Sequence, residues 1–344
     1  MPGMKVAELG EFGLIGRLAA MVSRGRARRP DAPDPLIIGM GDDAAAWHGD
    51  SSVQLATVDS LVQDIHFSLA STSWEELGWK SLAVNLSDIA AMGGLPRYAL
   101  VSLGLPGDTE VDDITAFYHG MIDLAREYDV RIIGGDTVSA PLVIINITVL
   151  GSSGSEAGQI LTRSAARPKD VVAVTGSLGA AAAGVEMFAG GLTFEPGAAA
   201  ILREACNRPR PRVAEGKLLA GQGVRAAIDI SDGLVADLDH VCTGSGVGAR
   251  VNVDLVPVTP AVRECFGDRA LELALTGGED YELLFTATAE QTDRVREATP
   301  VPVTVIGEIT AEGTGAISLV DSRGNPVRFS GMGWDHFRVS RSQT

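Results

Sequence analysis

The chain has 344 residues, of which 45% are hydrophobic and 41 are glycine, and a formal net charge of −16. That length exceeds one ordinary hydrophobic core, so two domains are expected, and the acidic balance excludes nucleic acid or an anionic membrane as a main partner. The three cysteines, Cys206, Cys242 and Cys265, are scattered without a C-x-x-C pair, which excludes a disulfide framework and a thiolate zinc site.

In chain order, Glu8 to Leu18 reads as a short amphipathic helix, followed by a basic run from Arg24 to Arg29 that ends at Pro30 as a solvated loop. The stretch from Ile38 to Phe67 then sets Asp42, Asp43 and Asp59 among small and apolar residues, where carboxylates are costly unless a cation or a hydrogen bond meets them. Thr57 and Asp59 would share one face of a strand, with Val58 on the other. This stretch is either an Asx-turn leading into a hairpin or part of a binding site. Ser73 and Glu76 form a capping box for a helix that Gly93-Gly94 and Pro96 stop. On that helix Asn85 and Asp88, three apart, lie on one face, and an Asp near a helix C-terminus is unfavourable to the dipole unless a cation sits against it.

Tyr98–Leu105 reads as a strand, Val111–Tyr128 as a helix, and Val130–Val138 as a strand interrupted by Gly134-Gly-Asp-Thr. Leu142–Leu150 reads as a strand buried on both faces, and Gly151–Gly158 as a linker or hairpin loop. The domain boundary is therefore expected there: residues 1–150, then 151–344 with a linker over 151–160. In the second half, strands are expected at Val171–Val174, Arg225–Ile230, Leu283–Thr286 and near Val303 and Ile317. A Gly/Ala helix should start at Ser177, with others over Ala198–Cys206, Val213–Ala220 and Ala270–Leu275. Ser231 or Asp232 is expected to cap the helix running through Val241. The alternation of strands and helices predicts a layered α/β fold. The most apolar long run, Val171–Leu192, is rich in Gly and Ala and contains Glu186, so it is a poor membrane span. No signal-peptide pattern opens the chain, and the expectation is a cytoplasmic protein.

Asp43, Asp59, Asp88, Asp136, Asp229 and Asp232 are mostly flanked by Gly, Ser or Thr. The five histidines form no metal-binding spacing, so zinc is excluded, while oxygen-only ligands suit Mg²⁺. Each aspartate alone reads as a turn or a cap rather than a ligand; convergence of the six would reverse that and make them a site that holds a polyphosphate through metals. No G-x-x-x-x-G-K-[ST] is present, and Gly244-Ser-Gly-Val-Gly has the wrong spacing and follows a helix, which excludes a P-loop and a Rossmann fingerprint.

Six motifs in one order resemble the thiamine-monophosphate kinase family, part of the aminoimidazole-ribonucleotide-synthetase-like (PurM-like) superfamily. They are Gly41-Asp-Asp-Ala, Asn85-Leu-Ser-Asp-Ile-Ala-Ala-Met-Gly, Gly134-Gly-Asp-Thr, Leu161-Thr-Arg-Ser, Asp229-Ile-Ser-Asp-Gly-Leu and Gly277-Gly-Glu-Asp-Tyr-Glu-Leu. The likeness runs from Glu11-Phe12 to Trp334-Asp-His-Phe337. It implies an N-terminal domain whose strands form a barrel across a homodimer interface, a C-terminal α/β domain, and an active site in the cleft between them. It implies Mg²⁺ ligands at Asp43, Thr57, Asp59, Asp88, Asp136 and Asp229, with Asp232 at a further metal position. It implies ATP contacts at Gly135, Asp136, Arg163 and Ser231, with Tyr118 nearby, and thiamine monophosphate held by His66, Glu279 and Trp334. Asp88, Asp136 and Arg163 are the implied catalytic set. One departure is Thr57-Val58-Asp59 where some members have Ser-Thr-Asp: Val58 offers only its carbonyl, while Thr57 and Asp59 keep their side-chain oxygens. The implied reaction gives thiamine diphosphate and ADP by direct transfer. Rival readings are a selenophosphate synthetase, disfavoured because the first cysteine is Cys206, a Mg²⁺-dependent phosphatase, and a non-catalytic nucleotide-binding sensor.

Overall fold

The computed structural model describes residues 4–25, 36–38, 46–49, 51–153, 159–311 and 313–328. Asp42, Asp43, Trp334 and most of the basic run after Arg24 lie outside the described residues. The chain divides into two compact units, Met1–Ile89 with Gly94–Gly158, and Ala90–Gly93 with Gln159–Thr344.

The first unit contains α1 (Val6–Leu9), α2 (Glu11–Gly25), the short pair β1 (Leu36–Ile38) and β2 (Ala46–Trp47), β3 (Gln54–Val62), α3 (Trp74–Ala91), β4 (Gly94–Leu105), α4 (Val111–Glu127), β5 (Arg131–Ser139) and β6 (Ile144–Ser153). Strands β3-β6-β4-β5 form one sheet, antiparallel except for β4–β5. Leu55, Leu61, Ala99, Val101, Leu103, Ile145, Ile147 and Val149 lie on one buried face, and α3 packs there through Ile89 against Gly151, where a Cβ would lie 2.8 Å from the Leu95 carbonyl oxygen. The opposite face carries Val58 and Val138, 60% and 52% exposed. Within the chain this sheet is open, with β3 and β5 at its edges.

The capping box forms as expected: the Ser73 N–H donates to Glu76 Oε2 (2.8 Å), and the Glu76 N–H to Ser73 Oγ (3.3 Å). Two other expectations need correction. β5 runs straight through Gly134–Thr137, because the irregularity is absorbed as a bulge at Ile133 opposite Ala99 and Leu100. β6 is not buried on both faces: residues on the Ile145 side are buried while Ile144, Asn146, Thr148 and Leu150 are half-buried, and it extends to Ser153, into the expected linker.

The second unit holds β7 (Val171–Thr175), α5 (Ala180–Ala189), α6 (Pro196–Asn207), α7 (Val213–Gly221), β8 (Ala226–Asp229), α8 (Leu234–Ser245), β9 (Gly248–Asn252), α9 (Pro260–Phe266), α10 (Ala270–Thr276), β10 (Leu283–Ala287), α11 (Ala289–Ala298), β11 (Val303–Thr310) and β12 (Ile317–Val320). Its sheet has the order β12-β9-β11-β7-β10-β8, with only β12–β9 parallel. Val172, Val174, Ile228 and Leu284 point into a core with α5, α6, α8 and α10. Ala173, Ala227, Leu283 and Phe285 point the other way, against α7, α11 and Ala91. A central sheet buried on both faces explains the unbroken apolar strands β7, β8 and β10. The Gly/Ala helix starts at Ala180, three residues later than expected, and β9, α9 and α11 escape the sequence reading.

In the first unit α3 and α4 meet main chain to main chain. A Cβ on Gly78 would lie 1.8 Å from the Phe117 carbonyl oxygen, and one on Gly120 would lie 1.9 Å from that of Glu75. Alanine in a helix is worth about 1 kcal/mol over glycine, but no rotamer change relieves a clash with backbone. Gly120→Ala is therefore expected to destabilise the first unit by about 1–3 kcal/mol, read as a lower urea midpoint.

Candidate functional site

In the first unit the expected aspartates are brought together only in part. The edge strand β3 leaves the Asp59 N–H without a strand partner, and it donates to Asn85 Oδ1 (3.1 Å), whose own Nδ2 donates to the Ser81 carbonyl (3.1 Å). One helical turn on, Asp88 Oδ2 accepts the Thr57 hydroxyl at 2.5 Å. Asn85 is fully buried, so this contact fixes α3 against β3. It also gathers one hydroxyl and two carboxylates, Thr57, Asp59 and Asp88. Burial first, and the Asp88 charge second, push the Asp59 carboxyl up to about 6. Hard oxygen donors that repel one another fit a divalent cation such as Mg²⁺.

Asp136 is elsewhere. Its register partner on β4 is Ser102, opposite Asn146 on β6, which in turn faces Ser60 on β3. Residues paired in register share a face, so Asp136 stands on the exposed side with Ser60 and Asn146, whose side chains are hydrogen-bonded at 2.5 Å. Asp59 is in register with Ile147, on the buried side. The Asp136 carboxylate accepts the Thr137 N–H (2.9 Å). Beside it, a Cβ on Gly135 would lie 1.8 Å from the Val101 carbonyl oxygen, so only glycine fits there. His66 sits in the turn after β3, where its Nδ1 accepts the Val62 N–H (3.0 Å) and so leaves the neutral ring's proton on Nε2. Tyr118, expected near ATP, is 3% exposed and packs edge-on to Phe117, and burial pushes its hydroxyl up. It is a core residue of its helix.

In the second unit two motifs interlock. Asp229, at the end of β8, is 2% exposed. Beyond it the Ile230 N–H donates to the Glu282 carbonyl (2.8 Å), the Tyr281 N–H to that of Ile230 (2.9 Å), and the Glu279 N–H to that of Ser231 (2.8 Å). The fit is close enough to demand glycine at 278, where a Cβ would lie 2.1 Å from the Ser231 oxygen. Glu279 and Tyr281 themselves adopt positive φ (67° and 51°), a backbone strain typical of functional loops. Ser231 and Asp232 do not cap α8 with their side chains. The N-cap is Gly233, and the N–H groups of Ser231, Asp232 and Gly233 all donate to Oδ2 of Asp237, each at 3.1 Å. The Asp237 carboxyl is pushed up to about 8, by burial first and then by Asp229 and Asp232, against the pull of those N–H groups. Among the described residues, Asp232, Asp237 and His240 form a group whose ligand atoms lie within 4.8 Å of one another. Arg163 is exposed; its neighbour Thr162 is bonded beside β8, and its carbonyl accepts the Ser245 hydroxyl (3.2 Å).

Sequence reasoning missed Asp237, Asp280, Glu282 and Arg212. Both Asp280 oxygens accept the Gly179 N–H at the start of α5 (3.0 and 2.9 Å), and desolvation first, then Glu282 and Glu279, push its carboxyl well above the usual range. Glu282 accepts from the Thr175 hydroxyl (2.6 Å) and from Arg212 through both oxygens (2.7 and 2.5 Å). The available signal was the acidity of Gly277–Glu282 itself, three carboxylates in four residues of an apolar context.

Residues 41–153 match the family model "AIR synthase related protein, N-terminal domain", and residues 167–320 match "AIR synthase related protein, C-terminal domain". Fold and site thus define an AIR synthase related, PurM-like α/β protein. The chain is 40% identical over 337 residues to thiamine-monophosphate kinase of Salmonella typhimurium, covering 95% of this chain and 98% of that one. It superposes with a TM-score of 0.79 on a crystal structure of thiamine-monophosphate kinase from Stenotrophomonas maltophilia K279a, at 37% identity over 89% of this chain and 95% of that one. It also superposes, at 0.75 and 32% identity over 97% and 99%, on AaThiL complexed with AMPPCP and TMP. The chain belongs to the thiamine-monophosphate kinase family. Among the described residues no helix is long and apolar enough to cross a membrane.

Because folding raises the Asp59 carboxyl from 3.8 to about 6, its ionised form opposes folding above pH 6 and ceases to do so as pH falls toward 4. In EDTA, Asp59→Asn is therefore expected to melt higher than the parent at pH 7.5, with the gap closing between pH 6 and 4. Arg212→Met leaves Glu282 buried without its cation and should cost about 3–5 kcal/mol; adding Glu282→Gln should recover part of that in urea titrations.

Proposed function

We propose that this protein is a thiamine-monophosphate kinase that transfers the γ-phosphoryl group of ATP to the phosphate of thiamine monophosphate, giving thiamine diphosphate and ADP. The observation that carries the reading is the Thr57–Asp59–Asp88 cluster, a half-buried hydroxyl and two carboxylates close enough that the Asp88 charge raises the Asp59 carboxyl, on positions that match the family. The related complex with AMPPCP, an ATP analogue, and TMP supports the choice of both substrates. Residues 1–150 act as the Mg²⁺- and ATP-binding and dimerisation domain, and residues 151–344 as the second domain.

Asp43, Thr57, Asp59, Asp88, Asp136, Asp229 and Asp232 are the residues that hold magnesium, which when bound neutralises polyphosphate charge. Gly135 brings main chain close to the nucleotide, and Ser231 and Asp136 add polar contacts. Arg163, an exposed guanidinium anchored at its own backbone, pairs with non-bridging phosphoryl oxygens as charge develops. His66, Glu279 and Trp334 hold thiamine monophosphate, the Glu279 carboxylate and the Trp334 ring suiting the thiazolium cation. A phosphate monoester has its second pKa near 6 (about 6), so at neutral pH the acceptor oxygen is already ionised. The chain's task is then to align donor and acceptor rather than to remove a proton, and transfer is direct and in line, without a phosphoenzyme. A homodimer belongs to this reading, since Val58 and Val138, exposed on the outer face of the four-stranded sheet, are apolar side chains that a second copy would cover. The compartment is the cytoplasm.

Purified protein with Mg²⁺, ATP and thiamine monophosphate is expected to yield thiamine diphosphate one-for-one with ADP, and EDTA should abolish both. Asp88→Ala should lose about 100-fold or more in kcat while keeping the parent's circular dichroism. ADP and inorganic phosphate without the diphosphate would overturn the reading in favour of a phosphatase.

A further inference from the structure

The loop from Ile230 to Gly233 precedes α8, a position where free N–H groups ordinarily gather an anion. Here they are already taken. The N–H groups of Ser231, Asp232 and Gly233 converge on one oxygen of Asp237, a residue only 1% exposed. The carbonyls of Ile230 and Ser231 accept from Tyr281 and Glu279, the Gly233 carbonyl accepts the Asp237 N–H, and the Ile230 N–H is bonded to Glu282. Gly233, at φ +121°, is pressed against Thr276, where a Cβ would lie 2.9 Å from main-chain carbon. The loop's N–H groups and the carbonyls of Ile230, Ser231 and Gly233 are thus committed, so its main chain presents an anion with no N–H donor.

We propose that Asp237 is a positioning residue: by filling the would-be anion nest from within, it converts this loop from a phosphate cradle into a support for cation-binding carboxylates. Asp237 touches no substrate in this role; it acts through the orientation of Asp229 and Asp232. The inference rests on the magnesium role given to those two residues under the proposed function. The same loop without Asp237 would expose three N–H groups to any nearby phosphate and release the backbone that aims its carboxylates. Asparagine, with the same shape and one acceptor oxygen, should preserve most of the arrangement, whereas alanine should not.

Amide hydrogen exchange on the full chain reads this locally, without any turnover. In the parent, the amides of Ser231, Asp232 and Gly233 should exchange slowly, and Mg²⁺ should protect the 229–240 segment further. In Asp237→Ala the Mg²⁺ concentration for half-maximal protection should rise about 10- to 100-fold, the usual cost of removing a group that orients a metal ligand; in Asp237→Asn it should stay within about threefold. In turnover, Asp237→Ala should lower kcat and raise the Mg²⁺ requirement with the KM for thiamine monophosphate unchanged. Fast exchange of the three amides in the parent would overturn the proposal even if Asp237→Ala failed to fold. So would unchanged Mg²⁺ dependence in Asp237→Ala, or equal loss of stability in both variants without a change in that dependence. A parent that binds Mg²⁺ at this segment but forms no thiamine diphosphate would instead sink the functional reading and leave this one standing.

Discussion

Negative charge withdrawn from water without a resident counter-charge is the constraint that organises this protein. A buried carboxylate must be met by a cation, by hydrogen-bond donors, or by a proton. Where the purpose is structural the chain supplies the first two together: Glu282 has Arg212 and Thr175. At Asp59 burial and the Asp88 charge prevail, and the carboxyl is pushed toward the neutral form. A fold that spends two carboxylates and a hydroxyl on such an arrangement gains nothing from it alone. The difference between Glu282 and Asp59 separates scaffold from candidate site more sharply than acidity by itself, since both lie in motifs of the same character.

The two units solve the placement of these groups differently. In the first, an edge strand lends its unpaired N–H to a buried asparagine on α3, so helix and strand are registered by a polar contact inside an otherwise apolar interface. In the second, two loops exchange main-chain bonds, and glycine appears where the backbones come too close for a Cβ. The candidate ligand-holding side chains are therefore mounted on backbone that is itself hydrogen-bonded.

Much of this was legible in the sequence. The Ser73–Glu76 box and the three-residue spacing of Asn85 and Asp88 gave both the helix and the face it turns to β3, because these are local rules with a fixed period. Cross-strand placement was not legible. Asp136 follows two glycines that read as an interruption, yet the strand continues and its bulge lies earlier, at Ile133; one residue of slip decides which face an aspartate occupies. The cap of α8 was misassigned for a related reason. Ser231 and Asp232 are ideal cap residues by type, but the acceptor came from Asp237, inside the helix, in a geometry that side-chain preference at the cap does not encode.

The reciprocal glycines of α3 and α4 carry a consequence for how the cluster is tuned. With no side chain between the two backbones at Gly78 or Gly120, the helix pair has no compressible side-chain layer at its crossing. Asn85 and Asp88 stand on the same helix about two and about three turns from Gly78. The spacing of donor oxygens at β3 is thus set by a steric stop far outside the cluster, so a drift in cation preference among relatives would be sought in the residues at that crossing as much as in the aspartates themselves.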